Sequence, residues 1–453
     1  MRMQRPLPIK YFIFLSALLF LVSPVAGLAA AGEGELPPSR SLTLSESYRL
    51  AVESHEAVGM AREGINQAES GVDKAVSQLL PKLTAEGGYT VYSEQKKSGG
   101  FVIQPDDASR VDVRLTQPVY TGGREWAAKR QAGIISERNA AGLDWAMENV
   151  IRAVGRAYYG VLKAEKEVEI KEAALKRAGE RSKVASARLR VGEVTKSAVL
   201  RADALVAGAE AELIKARSDL KNTADVLKRL TNVNDDVKVS EPPVKQDLSN
   251  DVNEILKLAY AYRLDYKQGA LDERAASEGV SYAKGFFLPS LRLEGIYSWR
   301  EQNPRTTFYQ KESVSGSIIL SVPIFEGGLR YAELSEAKSK LRESELRRLL
   351  LKRDIELQVR AAFNGLESVK AALEAYRKQL SLAEEDYNMV FEQFKFGLAT
   401  TVDVIDADAT LISAQRSLMN STYDLAAARL ELRAAAGVLL LELKDVKPLE
   451  GQK

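Results

Sequence analysis

The sequence predicts a mainly α-helical chain with a small set of amphipathic β-strands suited to a membrane barrel. The hydrophobic pattern passes through one order of elements twice, at an offset of roughly 200 residues. Two helical stretches of about 68 residues contain no proline, roughly 100 Å of helix each at 1.5 Å per residue. Four short segments alternate apolar and polar residues with period two.

The first element is a targeting signal. Arg2, Arg5 and Lys10 precede an apolar run, Tyr11 to Val22, which leads to Pro24 and Ala29-Ala30-Ala31. This is the pattern of a secretory signal peptide over residues 1–31. The run is shorter than the about 20 apolar residues a spanning helix needs, and an uncleaved anchor is the alternative. Cleavage after Ala31 turns the formal charge from +2 into −1, with 61 basic against 62 acidic residues. The longest later apolar run, Ala434 to Leu441, is far too short to span, so a mature chain that crosses a membrane must do so with strands.

Two repeats follow, residues 32–231 and 252–440, joined by a linker at 232–251 and followed by a tail at 441–453. Leu80-Pro81-Lys82-Leu83 returns as Leu288-Pro289-Ser290-Leu291, and Pro118-Val119-Tyr120-Thr121-Gly122-Gly123 as Pro323-Ile324-Phe325-Glu326-Gly327-Gly328. Gly192 and Thr195 return as Gly397 and Thr400, and Ala202-Asp203-Ala204 as Ala407-Asp408-Ala409. Only the interval from Pro81 to Pro118 is longer than its counterpart, by about three residues, which a loop between strands would absorb.

Each repeat opens with a helix, about Leu42 to Leu79 or Val252 to Phe287, closed by Pro81 or Pro289. His55 reads as a surface polar residue on the first of these. A hairpin follows. Leu83, Ala85, Gly87, Tyr89 and Val91, then Val111, Val113 and Leu115, occupy one face in the first repeat. Leu291, Leu293, Gly295, Tyr297 and Trp299, then Val314, Gly316, Ile318, Leu320 and Val322, occupy it in the second.

After each Gly-Gly turn the helical period resumes with a heptad-like seam. Val150, Val154, Ala157, Val161, Ala164 and Val168 step by four and three, as do Ile355, Val359, Ala362, Leu366, Val369 and Leu373. Gly192 and Gly397 suit the left-handed position after a helix, and Thr195 and Thr400 can cap the next one, which makes two tight helical hairpins. The return helices, about Lys196 to Leu230 and Thr401 to Leu439, are half as long as their partners, so the opening helix of each repeat must complete the length end to end. The polar linker carrying Pro242-Pro243, with the tail, forms a belt outside the helices.

Four strands cannot close a membrane barrel, since known barrels begin at about eight, so the chain must oligomerise. A cyclic trimer would supply twelve. The apolar sets would face lipid, with Tyr89, Tyr120, Tyr297, Trp299 and Phe325 in interfacial aromatic girdles; ordinary strand packing is the other reading of these rings.

The balance of 64 basic and 62 acidic residues gives no support to nucleic-acid binding. Zero Cys excludes disulfides, thiolate metal sites and Cys nucleophiles, and one His excludes a His-rich metal centre. No nucleophile–His–acid set and no phosphate loop is present, so neither an enzyme nor a cofactor is expected.

The paired Leu-Pro-x-Leu and Pro-x-aromatic-x-Gly-Gly motifs, together with Gly397-Leu398-Ala399-Thr400-Thr401-Val402-Asp403-Val404-Ile405-Asp406-Ala407, resemble the TolC-like outer-membrane efflux proteins from about Leu42 to Leu440. The resemblance implies a homotrimer with a twelve-stranded outer-membrane barrel and a long α-helical tunnel through the periplasm. It further implies a periplasmic membrane-fusion adaptor and an inner-membrane RND or ABC pump as partners, in drug efflux or type I secretion; metal export is less favoured for want of soft ligands. By resemblance Asp403 and Asp406 line the tunnel entrance, while a helix-capping role is their plain structural reading. Phe394 and Ala399 stand where the family carries a latching tyrosine and arginine, so the closed state should lack that latch or use another. Val191-Gly192-Glu193 and Phe396-Gly397-Leu398 stand at the adaptor-docking tips, Glu193 departing from the apolar pattern; helix C-capping is the plain role of both glycines. A periplasmic coiled-coil scaffold or adaptor without a pore is the competing reading of the whole chain.

Overall fold

The structure, a computed structural model, describes residues 40–243 and 247–444. The signal peptide at 1–31 and most of the tail lie outside the described residues. In chain order the elements are β1 (Arg40–Leu42), α1 (Leu44–Ser54), α2 (Glu56–Ser77), β2 (Lys82–Val91), β3 (Lys96–Ser98), β4 (Phe101–Gln104), β5 (Asp107–Tyr120), α3 (Arg124–Arg190), α4 (Lys196–Thr231), β6 (Val237–Val239), α5 (Val252–Tyr262), α6 (Leu264–Gly285), β7 (Ser290–Asn303), β8 (Glu312–Ser321), α7 (Leu329–Lys395), α8 (Thr401–Ala435) and α9 (Leu439–Lys444).

Helices α3 and α7 each run 67 residues, beside return helices α4 and α8 of 36 and 35. The opening helix of each repeat is not continuous. It breaks at His55 (ψ 132°) in the first half and at Arg263 (ψ 123°) in the second. His55 is thus no mid-helix surface residue: its Nδ1 accepts the Ala57 N–H at 3.1 Å and caps α2. The second return also stops earlier than its pattern suggests, because Gly437 turns left-handed (φ 71°) and α9 starts afresh on α3.

Beside the middle of α3, the ends of α1 and α4 meet around Val150, Ile151, Val154, Tyr158 and Val161, with Tyr48, Ala51, Leu227 and Leu230. The second half repeats the packing with Ile355, Val359 and Leu366 against Ile255, Ala259 and Leu432. Val150, Val154, Val161, Ile355, Val359 and Leu366 are heptad positions expected of the seam, whereas Ile151 and Tyr158 join the core from outside it, and shortening one such buried aliphatic to Ala costs about 2–5 kcal/mol. The linker is tied on here. β6 pairs in parallel with β1, and the buried Tyr158 hydroxyl lies 2.6 Å from the Ser240 carbonyl oxygen and 2.9 Å from that of Leu42.

The two hairpins join edge to edge into one antiparallel sheet, β2-β5-β7-β8. Their registers align the apolar alternation across all four strands: Ala85, Val113, Tyr297 and Val314 form one row, and Leu83, Leu115, Gly295 and Gly316 the next. Leu83, Tyr89, Val314 and Ile318 on this face are largely exposed, an apolar surface with no protein over it. The opposite face carries Glu86, Asp112, Arg114, Glu294 and serines, with Arg114 paired to Glu294 across β5–β7. Between the last rungs, Val91 with Asp107 and Trp299 with Glu312, the connections are residues 92–106 and 300–311. The three extra residues of the first half fall there, where β3 and β4 form a small hairpin of their own.

Among the girdle candidates, Tyr89 and Trp299 stand toward the outer end of the apolar face. Tyr120 ends β5 at the other edge, and Phe325 lies in the exposed connection beyond β8. Tyr297 sits in mid-strand of β7, opposite Val113, and so does not mark a strand end. No helix among the described residues is long and apolar enough to cross a membrane.

Candidate functional site: the paired hairpin tips

Far from the sheet, each long helix ends in the same backbone motif. Gly192 (φ 80°) donates to Leu189 O and Glu193 N to Arg188 O; Gly397 (φ 76°) donates to Phe394 O and Leu398 N to Gln393 O. Both are Schellman turns, which satisfy helix-end carbonyls and need a left-handed residue that glycine supplies at no steric cost. Val191, Phe396 and Leu398 at the tips are 70%, 78% and 80% exposed.

The starts of the return helices differ. Thr195 makes no side-chain cap to α4, whose third residue is Ala198. Thr400 forms a complete capping box with Asp403: Thr400 N and Oγ1 both lie 2.7 Å from Asp403 Oδ2, and Asp403 N donates back to Oγ1. These hydrogen bonds from the Thr400 side chain and backbone hold the Asp403 carboxyl below its ordinary value. Asp406, one turn on, is exposed and its carboxylate has no partner among the described residues. Both carboxylates are open to water.

Phe394 is buried, packed with Tyr387, Val404, Ala407 and Leu411 in the α7–α8 seam, and Ala399 packs against the same cluster. Phe394 therefore fills the hairpin core in place of lining open space. The tie between hairpins comes from arginines on α3 that the motif pattern did not single out. Arg188 reaches both tips: its Nε donates to Glu193 at 3.0 Å and its Nη1 to Phe394 O at 3.2 Å, with the guanidinium 5.3 Å from the Phe394 ring centroid. This contact gives Glu193, the residue out of keeping with an apolar tip, a structural reason to be acidic. Three turns up, the buried Asp408 lies 2.6 Å from Arg177 Nε and 2.7 Å from Arg181 Nη1. Tyr387 closes the cluster beneath Arg177, its phenol raised by burial and by the Asp408 charge. The return of Ala-Asp-Ala was the one sequence signal for Asp408. Among the described residues no three His, Cys, Asp or Glu side chains are grouped to hold a metal.

The sequence profile of the family described as "Outer membrane efflux protein" matches residues 47–233 and again 255–438. The chain belongs to the outer membrane efflux protein family. Over 98% of its length it is 24% identical to the outer membrane efflux protein BepC of Brucella suis, covering 96% of that protein. It is likewise 24% identical to the outer membrane protein TolC of Escherichia coli over 92% of this chain and 86% of that one. The fold matches the Campylobacter jejuni CmeC outer membrane channel with a TM-score of 0.77 at 17% identity, over 87% of this chain and 85% of the other. As a member of this family the chain is an outer-membrane protein.

Proposed function

We propose that this chain is an outer-membrane exit duct of a tripartite efflux or type I secretion system, passive in itself and driven by an inner-membrane pump of RND or ABC type through a periplasmic adaptor. The observation that carries it is the pairing, in one chain of this family, of a four-stranded sheet apolar on one face with 67-residue helices leading away from it. Three copies would close twelve strands and set six 67-residue helices around one tunnel. An unpartnered stripe on α7, Leu346, Leu350 and Leu357, all exposed, supports contact with a second copy. A periplasmic scaffold without a pore would leave the apolar sheet face in water.

At the entrance, three copies of Asp403 and Asp406 would make an acidic ring that favours cations. The exposed Val191, Phe396 and Leu398, with Gly192 and Gly397, support tip docking of the adaptor, and Tyr89, Trp299, Tyr120 and Phe325 support two aromatic girdles. In place of a latch at Phe394 and Ala399, Arg188 and the Arg177–Arg181–Asp408 cluster would hold the closed state.

Mass determination of the detergent-extracted protein, then single-channel recording in a planar bilayer, tests this reading. The expected result is a trimer-sized particle with cation-selective conductance, and loss of that selectivity in Asp403→Ala/Asp406→Ala. A water-soluble particle without conductance would contradict the duct, and unchanged selectivity in the variant would contradict the ring.

A further inference from the structure

Helices α3 and α7 match residue for residue, from Arg124 with Leu329 to Arg190 with Lys395, yet they are not equally covered. Helix α3 packs on α6 toward the sheet and on α8 toward the tips, and β5 pairs with β7. Among the described residues, α7 makes no comparable packing on α2 or α4 of its own chain, and β2 and β8 are the two edges of the sheet. The turns before the long helices show the same difference. A Cβ on Gly122 would lie 2.2 Å from the Gly285 carbonyl oxygen, so the turn before α3 sits on the end of α6, whereas nothing lies within 4 Å of such an atom on Gly327, before α7.

Near the tips the uncovered side of α7 is a single stripe. On α3, Val184 packs into the α7–α8 seam, Arg177 and Arg181 hold Asp408, and Arg188 donates to Phe394 O. The residues at those places on α7 are Leu382 for Arg177, Asp386 for Arg181, Met389 for Val184 and Gln393 for Arg188. Steps of four, three and four keep them on one helix face. Leu382 is 58% exposed and Met389 55%, with Asp386 and Gln393 exposed beside them and Asp386 without a partner among the described residues. Helix α4 is bare in the same way: Ile214 is 70% exposed, while its match on α8, Met419, is buried. The surface that fits the stripe is one the chain itself carries, since its own second hairpin already covers the same stripe of α3. A partner of another kind would not account for the matching bare places at β8, at the Gly327 turn and along α4.

We propose that the α3–α4 hairpin of a second copy seats on this stripe of α7, with Leu382 and Met389 against it, and that this seam between copies carries none of the charge ties that fasten the two hairpins within one chain. The inference rests on the duct reading, which supplies the second copy. Where three arginines reach from α3 to the second hairpin, α7 offers an apolar, an acidic and an amide side chain. Asp386 would stand beside Asp203 of the second copy, acid to acid, in the place of the Arg181–Asp408 pair. The entrance of the duct would then have tied seams inside each chain and loose seams between chains.

The chain has no Cys, so an introduced pair of thiols is the only one present. In the detergent-extracted mature protein, Asp203→Cys/Asp386→Cys treated with a short bismaleimide is expected to run as covalent dimers and trimers on denaturing gels. Arg181→Cys/Asp408→Cys, linked inside one chain, should stay a monomer. Asp386→Arg gives the seam between copies the cation it lacks, and in planar bilayers its open probability should fall at least about threefold. The wild-type value should return in Asp386→Arg/Asp203→Asn, where the arginine has lost its carboxylate. A trimer-sized, conducting protein whose Asp203→Cys/Asp386→Cys variant never links between copies overturns the seam and leaves the duct standing. Linking between copies while Asp386→Arg opens as often as wild type overturns the looseness of the seam. A monomeric particle without conductance contradicts the duct and the seam together.

Discussion

Asp203 and Asp408 hold the same place in the two halves, the centre of an Ala-Asp-Ala near the start of each return helix, and they meet different surroundings. Asp203 is exposed and accepts one hydrogen bond, from Ser182 Oγ at 2.6 Å. Asp408 is buried between Arg177 and Arg181, both from the first half's long helix. The backbones agree to within one residue of helix length, yet the first half supplies the arginines and the second the carboxylate. Repetition of a fold therefore did not preserve its contacts: the second hairpin is fastened to the first by charges that the first hairpin does not use on itself.

The largest expected effect separates those two aspartates. Asp408→Asn strands two buried guanidinium groups, and breaking such a pair costs about 3–5 kcal/mol. Asp203→Asn removes one exposed hydrogen bond and should cost below about 1 kcal/mol. Hydrogen exchange of the first turns of α8 and α4 reads this directly: faster exchange is expected in α8 of the first variant, with α4 of the second unchanged.

Next comes an asymmetry midway along the two long helices. Glu148 on α3 is buried and its carboxyl is pushed up to about 7 by burial, the Arg263 charge opposing and the Asp265 charge adding to the effect. Arg353 on α7, at the matching seam position, is exposed. Because the folded value lies above the ordinary one, Glu148 costs nothing below the ordinary carboxylate range and destabilises progressively as pH rises toward 7, by about 3 kcal/mol at most. Protection of the amides around Val150 should fall between pH 5 and pH 8 in wild type and stay level in Glu148→Gln, while Arg353→Gln should leave the pH dependence as it is.

The smallest effect tests the caps. Thr400→Ala removes a complete capping box and should cost about 1 kcal/mol at the start of α8, whereas Thr195→Ala removes no side-chain cap and should be near neutral. The depressed Asp403 carboxyl sets the sign with pH: its contribution is whole above the ordinary Asp value and disappears only as pH falls through the lower folded value. Acid titration of α8 end-fraying by NMR, wild type against Thr400→Ala, checks both points.

Much of the fold was legible in the sequence because it rests on local periodicities. Proline-free runs, Gly-Gly and Gly-x-x-Thr punctuation and strict alternation each set one element, and both 67-residue helices and all four sheet strands stand where those patterns place them. The breaks at His55 and Arg263 were not legible, since neither is a proline or glycine and the apolar period continues across them; the bend shows only in the backbone angles. At the tips the glycines and the Thr400–Asp403 box could be read from spacing, because capping is local. The Arg177–Arg181–Asp408 cluster and the reach of Arg188 could not, because they join residues more than 200 positions apart on helices rich in charge. Any of a dozen arginines would have looked alike before the helices were packed.

Single-channel conductance of Asp408→Asn beside Asp203→Asn in planar bilayers reads whether the second hairpin is held shut against the first. A larger or more often open conductance is expected in Asp408→Asn, with Asp203→Asn matching wild type. Equal conductance in all three proteins would contradict it and leave Asp408 a packing residue with no part in the gate.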